Sequence, residues 1–380
     1  MKLWFGLALA AFALPADAAV RYTATVLTTP EGLNMQAFGL NNAGEIVGGS
    51  DEGDAYQAYY RSSAGDYRAL GGLGGTRSTA GSISNNGTIA GQARSGSTGA
   101  TSLPFIIPPG GTLTTIALPA NGSAAASNDV NDSGVVVGTF QVPNGNSRRN
   151  VAFRWSAATG MEVNSDGFIR DARAVNAAGD AVLADIDTAF RWTADGAILP
   201  LEKVDGSNPT SVYVTAVDIN DAGQIAGVVG YADDDFFDRT EVAVWGTDNR
   251  LIRRAAFEDY LGVIASGLNG AGDVVGSAND LKGFPDGSFI ERRTAWVWLG
   301  GGTVLDLNTL TDRPDIAFQN AFDINDRGQI IAWGLKGGMR VDVLLNPLAV
   351  PEPASWALLI AGFASVGVTL RRRASSVQTA

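Results

Sequence analysis

The chain has no cysteine and no histidine in its 380 residues. The first absence leaves nothing to cross-link, and the second removes the commonest general base and metal ligand near neutral pH. Together they exclude Cys/His zinc sites and both Ser-His-Asp and Cys-His catalysis by residue inventory alone. Charge is also sparse, at 17% of residues, and the basic side is the weaker one, with 27 Lys and Arg against 39 Asp and Glu. Setting aside the two ends discussed next, which carry Lys2, Asp17, Glu352 and Arg371 to Arg373, 23 basic residues face 37 acidic ones. Such a field repels nucleic acid and anionic lipid. Helical periodicity is missing as well, whereas glycine is abundant, at 48 residues. This is the composition of a strand-rich, glycine-turned domain with enough apolar sequence for a large core.

Both ends read as addresses. Lys2 precedes an apolar stretch from Leu3 to Leu14, and Ala16-Asp17-Ala18 has the small-x-small form of a signal peptidase site. Residues 1–18 are therefore expected to be a signal peptide, with the mature chain beginning near Ala19. A buried first helix is the competing reading, but Pro15 would break it. Near the other end, Val350-Pro351-Glu352-Pro353 is followed by a 15-residue apolar run, Trp356 to Leu370, and by Arg371-Arg372-Arg373. A helix of that length rises roughly 22 Å, against about 30 Å of hydrocarbon, so it spans marginally unless the arginines snorkel to the headgroups. Three positive charges after the run should remain cytoplasmic as a stop-transfer signal, which leaves the body on the far side of the membrane. The order of Pro-Glu-Pro, short apolar helix and basic end resembles the PEP-CTERM sorting signal of Gram-negative bacteria. That resemblance implies processing at Val350, Pro351, Glu352 and Pro353 by an exosortase-type membrane protease and delivery to the outer surface or exopolysaccharide matrix. An ordinary uncut C-terminal anchor is the alternative.

Between the ends, one phrase recurs: apolar, Asn or Ser, two small or polar residues, Gly, any, apolar, any, small. Its copies are Leu40 to Gly48, Ile83 to Gly91, Val130 to Gly138, Val175 to Leu183, Ile219 to Gly227, Leu268 to Gly276 and Ile324 to Ala332. The first glycines, at 44, 87, 134, 179, 223, 272 and 328, lie 43 to 56 residues apart, inside or just beyond the range of propeller blades. Asn and Asp close turns with their own side chains and Gly takes positive φ, so each phrase predicts a hairpin turn between two strands. A third strand follows each phrase, as in Ala152-Phe153-Arg154-Trp155 and Ala189-Phe190-Arg191-Trp192, with aromatics two apart on one face. A fourth precedes each unit, as in Ala24 to Leu27 and Leu70 to Leu73. Seven four-stranded units predict an all-β fold, a seven-bladed β-propeller over residues 19–349, followed by a sorting segment with a transmembrane helix over 350–380. An open β-solenoid is the rival. The phrases also resemble HAF-type extracellular repeats, through Leu70-Gly71-Gly72-Leu73-Gly74-Gly75, Ile219 to Gly227 and Ala152 to Trp155. That likeness implies an exported protein and brings no catalytic residues. Leu183 and Ala332 replace the closing glycine, which makes units four and seven the atypical ones.

The connection between the second and third strands is longest in units three, five and six. In a propeller these connections share one end, which makes that end the expected binding surface. Its candidate residues are Tyr231, Asp233, Asp234, Asp235, Phe236, Phe237 and Asp238 in unit five, and Phe284, Asp286 and Phe289 in unit six; Arg148 and Arg149 come from unit three. Aromatic faces flanked by carboxylates suit sugar rings, while a plain solvated charge run is the bland reading. No complete calcium loop is present, so no metal and no cofactor are expected. Glycoside hydrolysis needs only two carboxylates, but nothing singles out a pair. The sequence thus points to a non-catalytic exported surface or matrix protein that binds a saccharide or protein partner. The alternatives are a glycan-active hydrolase or lyase, or a purely structural surface component.

Overall fold

The computed structural model describes residues 21–348, apart from 54, 97–100, 165–170, 205–211, 232–238, 258–261, 284–288 and 301. The described residues form 28 strands in seven four-stranded antiparallel sheets, each running outward from an inner strand. The inner strands are Met35–Leu40, Ser78–Ile83, Ser123–Val130, Asp171–Val175, Val212–Ile219, Gly262–Leu268 and Ile316–Ile324. Each sheet packs its apolar face on the next, and the chain is a seven-bladed β-propeller. The one helix among the described residues is the single turn Leu307–Leu310. No described helix is long and apolar enough to cross a membrane.

The blade boundary differs from the sequence expectation by one strand. Leu70 and Gly71 belong to the strand Tyr67–Gly71, which pairs back on Tyr56–Arg61 and completes the first blade instead of opening the second. A short hairpin return costs less loop entropy than a crossing to a new sheet. The first strand, Tyr22–Val26, therefore has no blade of its own to complete. It becomes the outer strand of the last blade, in register with Met339–Pro347 from Tyr22↔Pro347 to Val26↔Val343. Backbone bonds from Leu27 to Asp342 and from Leu348 to Arg21 extend the ladder at both ends. The ring is closed by its own two chain ends, which removes the exposed edges a solenoid would leave.

Each Asn-x-x-Gly phrase is the turn between the first and second strands, with the glycine at φ between 71 and 90°. The closing glycine has a steric origin. A Cβ at Gly48, Gly138, Gly227 or Gly276 would lie 1.9–2.1 Å from a carbonyl oxygen of the neighbouring inner strand. Units four and seven are nonetheless complete blades. In unit four, Leu183 occupies the glycine position as a fully buried core residue, and Phe190 of the adjacent strand is only half-buried. In unit seven, Ala332 sits between two register shifts where the other inner strands of this kind have one or two.

Candidate functional site

The repeated polar residues are consumed by the architecture. Six blades carry Asn at the start of the turn, and in each its Oδ1 accepts the backbone N–H four residues on, at 2.8–3.0 Å. Its Nδ2 then donates to the backbone carbonyl at the same position of the next blade. The sequence runs Asn41 to Ser84, Asn131 to Asn176, Asn176 to Asn220, Asn220 to Asn269, Asn269 to Asn325 and Asn325 to Asn41, at 2.8–3.5 Å. The girdle breaks at Ser84, whose hydroxyl is too short to reach Asn131. There Asn86 substitutes, donating to the Asp132 carbonyl at 2.6 Å.

A second set of ties alternates around the ring. Asp129, Asp218 and Asp323, in blades three, five and seven, each accept two backbone N–H bonds. One is local, from Val130, Ile219 or Ile324; the other comes from the following blade, from Val175, Leu268 or Leu40, at 2.7–2.9 Å. The same blades reach backward through Asp132, Asp221 and Asp326, which accept from Asn86, Ala177 and Gly270. Blades three, five and seven thus clip both neighbours. The other four blades carry Gly39, Ser82, Ala174 and Gly267 at the inner aspartate position, and Ser82 donates to Asp129 at 2.5 Å. A Cβ on Gly267 or Gly39 would come 2.9–3.0 Å from the adjoining blade's Cα. These aspartates were readable as a repeated Asp-(Val/Ile)-Asn-Asp, a signal lost when the phrase is counted only from its apolar residue.

Arginine supplies the outer ties. Arg191 is 3% exposed and donates to Asn249, Asp180 and the carbonyls of Gly223 and Gly246. Arg154, at 7%, pairs with Glu162 at 2.7 Å, donates to Thr193 and lies over the Trp192 ring.

Confinement raises the pKa of each inner aspartate. Desolvation is the leading cause in each case, carrying Asp129 up to about 6, Asp218 to about 8 and Asp323 to about 7; for Asp218, repulsion from Asp323 and Asp129 adds to it.

Along the axis lies a cavity of about 270 Å³. Every inner strand slips register by one residue, at Phe38, Gly81, Asn128, Arg173, Val217, Ser266 and Phe322, and those residues line it. A bulge re-aims a side chain that regular pleating would bury between blades. The wall is two-sided. In blades one and seven Phe38 and Phe322 meet edge to face, with centroids 6.3 Å apart. In blades three and four, across the lumen, Arg173 is held by Asp171 at 3.2 Å and by the Ala216 carbonyl, while Asn128 donates to the other oxygen of Asp171 at 2.8 Å.

The connections expected to bind lie at the opposite end from the turns, as antiparallel strand order requires. In blade three the long connection is not a loop. Val136–Asn144 and Ser147–Ser156 stay paired up to Asn144↔Ser147, so Arg148 and Arg149 sit on a protruding hairpin. Blade six does the same, pairing up to Gly283↔Phe289. Tyr231 ends the strand Ile225–Tyr231 half-buried, its hydroxyl accepting from Arg254, which also pairs with Glu241 at 3.2 Å. Burial, then Glu241, raises its phenol. Phe289 begins the strand Phe289–Trp298. Asp233, Asp234, Asp235, Phe236, Phe237, Asp238, Phe284 and Asp286 lie outside the described residues, as do Val350 to Pro353 and Arg371 to Arg373. At the same end Met339 and Ile186 are exposed apolar residues. A cleft on blade one, lined by Glu31, Glu52 and Tyr59, has a volume of about 750 Å³, and Tyr59 donates to Glu52 at 2.5 Å.

Fold and channel define the class, a closed seven-bladed propeller. The tail adds the sorting route: residues 349–373 match the PEP-CTERM protein-sorting motif, which implies an exported surface protein processed by an exosortase. No curated protein matches the chain by sequence. Among solved structures it is similar to dipeptidyl peptidase 4 of Porphyromonas gingivalis (10% identity, TM-score 0.43, covering 85% of this chain and 54% of that one). Others are prolyl oligopeptidase B from Galerina marginata (11%, 0.38, 82% and 46%) and a putative gluconolactonase (13%, 0.33, 76% and 98%). The chain spans about half the length of the two peptidases. At these scores none of the likenesses bears on activity.

Proposed function

We propose that this is a non-catalytic protein of the Gram-negative outer surface or exopolysaccharide matrix, built of HAF-type repeats and binding a saccharide or protein partner. The observation that carries the reading is the sorting motif starting directly after a ring closed by its own ends, so that removing the tail leaves the propeller whole. The repeated Asn, Asp and Arg residues support a scaffold role, because their hydrogen bonds are spent between blades. Partner contact is assigned to the hairpin end, through Tyr231, Asp233 to Asp238, Phe284, Asp286 and Phe289. Deleting 233–238 should weaken retention on extracted exopolysaccharide; undiminished retention counts against that end.

A second reading, glycan hydrolysis, draws on the blade-one cleft, where two glutamates and a tyrosine face one cavity. Release of reducing ends from matrix polysaccharide, lost in Glu52→Gln, would favour it over the scaffold.

A further inference from the structure

The channel wall is more specific than architecture requires. All seven inner strands slip register where they reach the lumen, and in every blade but the second, where Gly81 stands, the skipped residue presents a side chain there. We propose that the channel receives one neutral, hydroxyl-rich ring, the terminal unit of a glycan, entering from the end that carries the Asn-x-x-Gly turns. This rests on the saccharide reading above and places the sugar contact on the axis as well as the hairpins.

Size, polarity and charge each narrow the ligand. At about 270 Å³ the cavity falls just below the roughly 300–1,000 Å³ of sites that hold drug-sized molecules, which fits a single ring and not a polymer laid lengthwise. The edge-to-face pair of Phe38 and Phe322 offers an apolar surface to the C–H face of a pyranose. Across from it, Asn128 and Arg173 supply hydroxyl partners, and Ser266 of blade six adds one beside the Phe322 wall. Arg173 bonds through Nε and Nη1, leaving Nη2 to donate to a ligand.

Its charge is already matched by Asp171. The remaining ionisable groups of the lumen are carboxylates: Asp132, Asp221 and Asp326 at the mouth, which make the field a ligand meets on entry, and Asp129, Asp218 and Asp323 in the wall, whose burial favours the neutral form. A uronic acid would enter against this field, whereas a neutral ring would not. Among the described residues no acidic group of three or more is arranged to hold a metal ion that would reverse the sign. The lining extends from the register slips to Asn42 and Asn85 of the turns, which sets the direction of access.

The test uses the full chain, purified from membranes in detergent, and saturation-transfer NMR with methyl glucoside, methyl galactoside, methyl N-acetylglucosaminide and glucuronate. At least one neutral glycoside should bind, with glucuronate at least about tenfold weaker. Ser266→Trp, which fills the lumen, should abolish binding; Phe38→Ala should weaken it about threefold to tenfold. Deletion of 233–238 should leave monosaccharide binding intact. Circular dichroism and the melting temperature report folding, and Phe322→Ala replaces Ser266→Trp if that variant does not fold. Unchanged binding by folded Ser266→Trp, or glucuronate binding as tightly as the neutral glycosides, overturns the channel assignment. If the hairpin deletion alone abolishes binding, the assignment fails while the saccharide-binding function stands. If neither monosaccharides nor extracted exopolysaccharide bind the unaltered chain, both fail.

Discussion

Asn220→Ala interrupts the girdle at a point where all its bonds are visible. The wild-type side chain is 6% exposed. It donates to the Asn269 carbonyl at 2.9 Å and to Gln224 Oε1 at 3.0 Å, and accepts from the Gln224 N–H at 2.9 Å. Truncation removes three bonds worth about 1 kcal/mol each and strands the Gln224 N–H in a protein interior, for a total near 2–4 kcal/mol. Unfolding entropy of about 2 cal/mol/K per residue makes each kcal/mol worth roughly 1.5 °C in a body of this size, so the melting temperature should fall about 3–6 °C in differential scanning calorimetry. The complementary change is Ser84→Asn. The Asn131 carbonyl now accepts only from Gly134, and an asparagine at 84 would give it the donor the other blades have. That variant should melt about 1–2 °C higher, a gain of roughly 1 kcal/mol. If Asn220→Ala melts within 1 °C of wild type, the girdle does not hold the blades together and the reasoning is wrong.

Arg191→Ala removes a buried guanidinium with four bonds and should cost about 3–5 kcal/mol in chemical denaturation, since the Gly223 carbonyl, Asn249 Oδ1 and Asp180 Oδ2 lose the donor they share. Gly276→Ala places a Cβ 1.9 Å from the Ile264 carbonyl and should cost about 2–4 kcal/mol by the same measurement, because the backbone itself must move. Stability should also decline with rising pH. Above pH 4 the unfolded chain ionises Asp129, Asp218 and Asp323 freely, while the fold holds them protonated up to about 6, 8 and 7, so their contribution turns increasingly unfavourable and levels off above about pH 8. Melting temperatures at pH 5 and pH 8 read the effect, and a flat profile would contradict it. Asp315, lowered first by its bond to Arg313, acts in the opposite sense but is fully ionised in both states before pH 6.

Fold class was legible because turns are local. Asn, Gly and the flanking β-branched residues specify a hairpin without reference to the rest of the chain, and seven copies at near-constant spacing specify the ring. Blade membership was not legible. Tyr22–Val26 looks like any other outer strand, and only closure of the ring assigns it to a partner more than 300 residues away. The long connections misled because Ser147 to Asn150 are polar and read as loop, whereas cross-strand pairing continues through them. The channel was invisible for a different reason. A register slip depends on which residue the neighbouring strand skips, and Phe38, Arg173 and Phe322 carry no mark in the sequence that separates lumen from blade interface. Arg154 and Arg191 show the converse. Their Ala-Phe-Arg-Trp setting identified a strand, but which carbonyls the guanidinium ties is decided by the adjacent blade.

Export, closure of the ring by its own first and last strands and separation from the tail together form the central prediction. Mass spectrometry of the protein released from the surface of an exosortase-bearing Gram-negative host tests this directly. A folded species beginning near Ala19 and ending close to Val350 is the predicted result. Recovery of the intact 380-residue chain from the cytoplasm, with the sorting segment still attached, would contradict it.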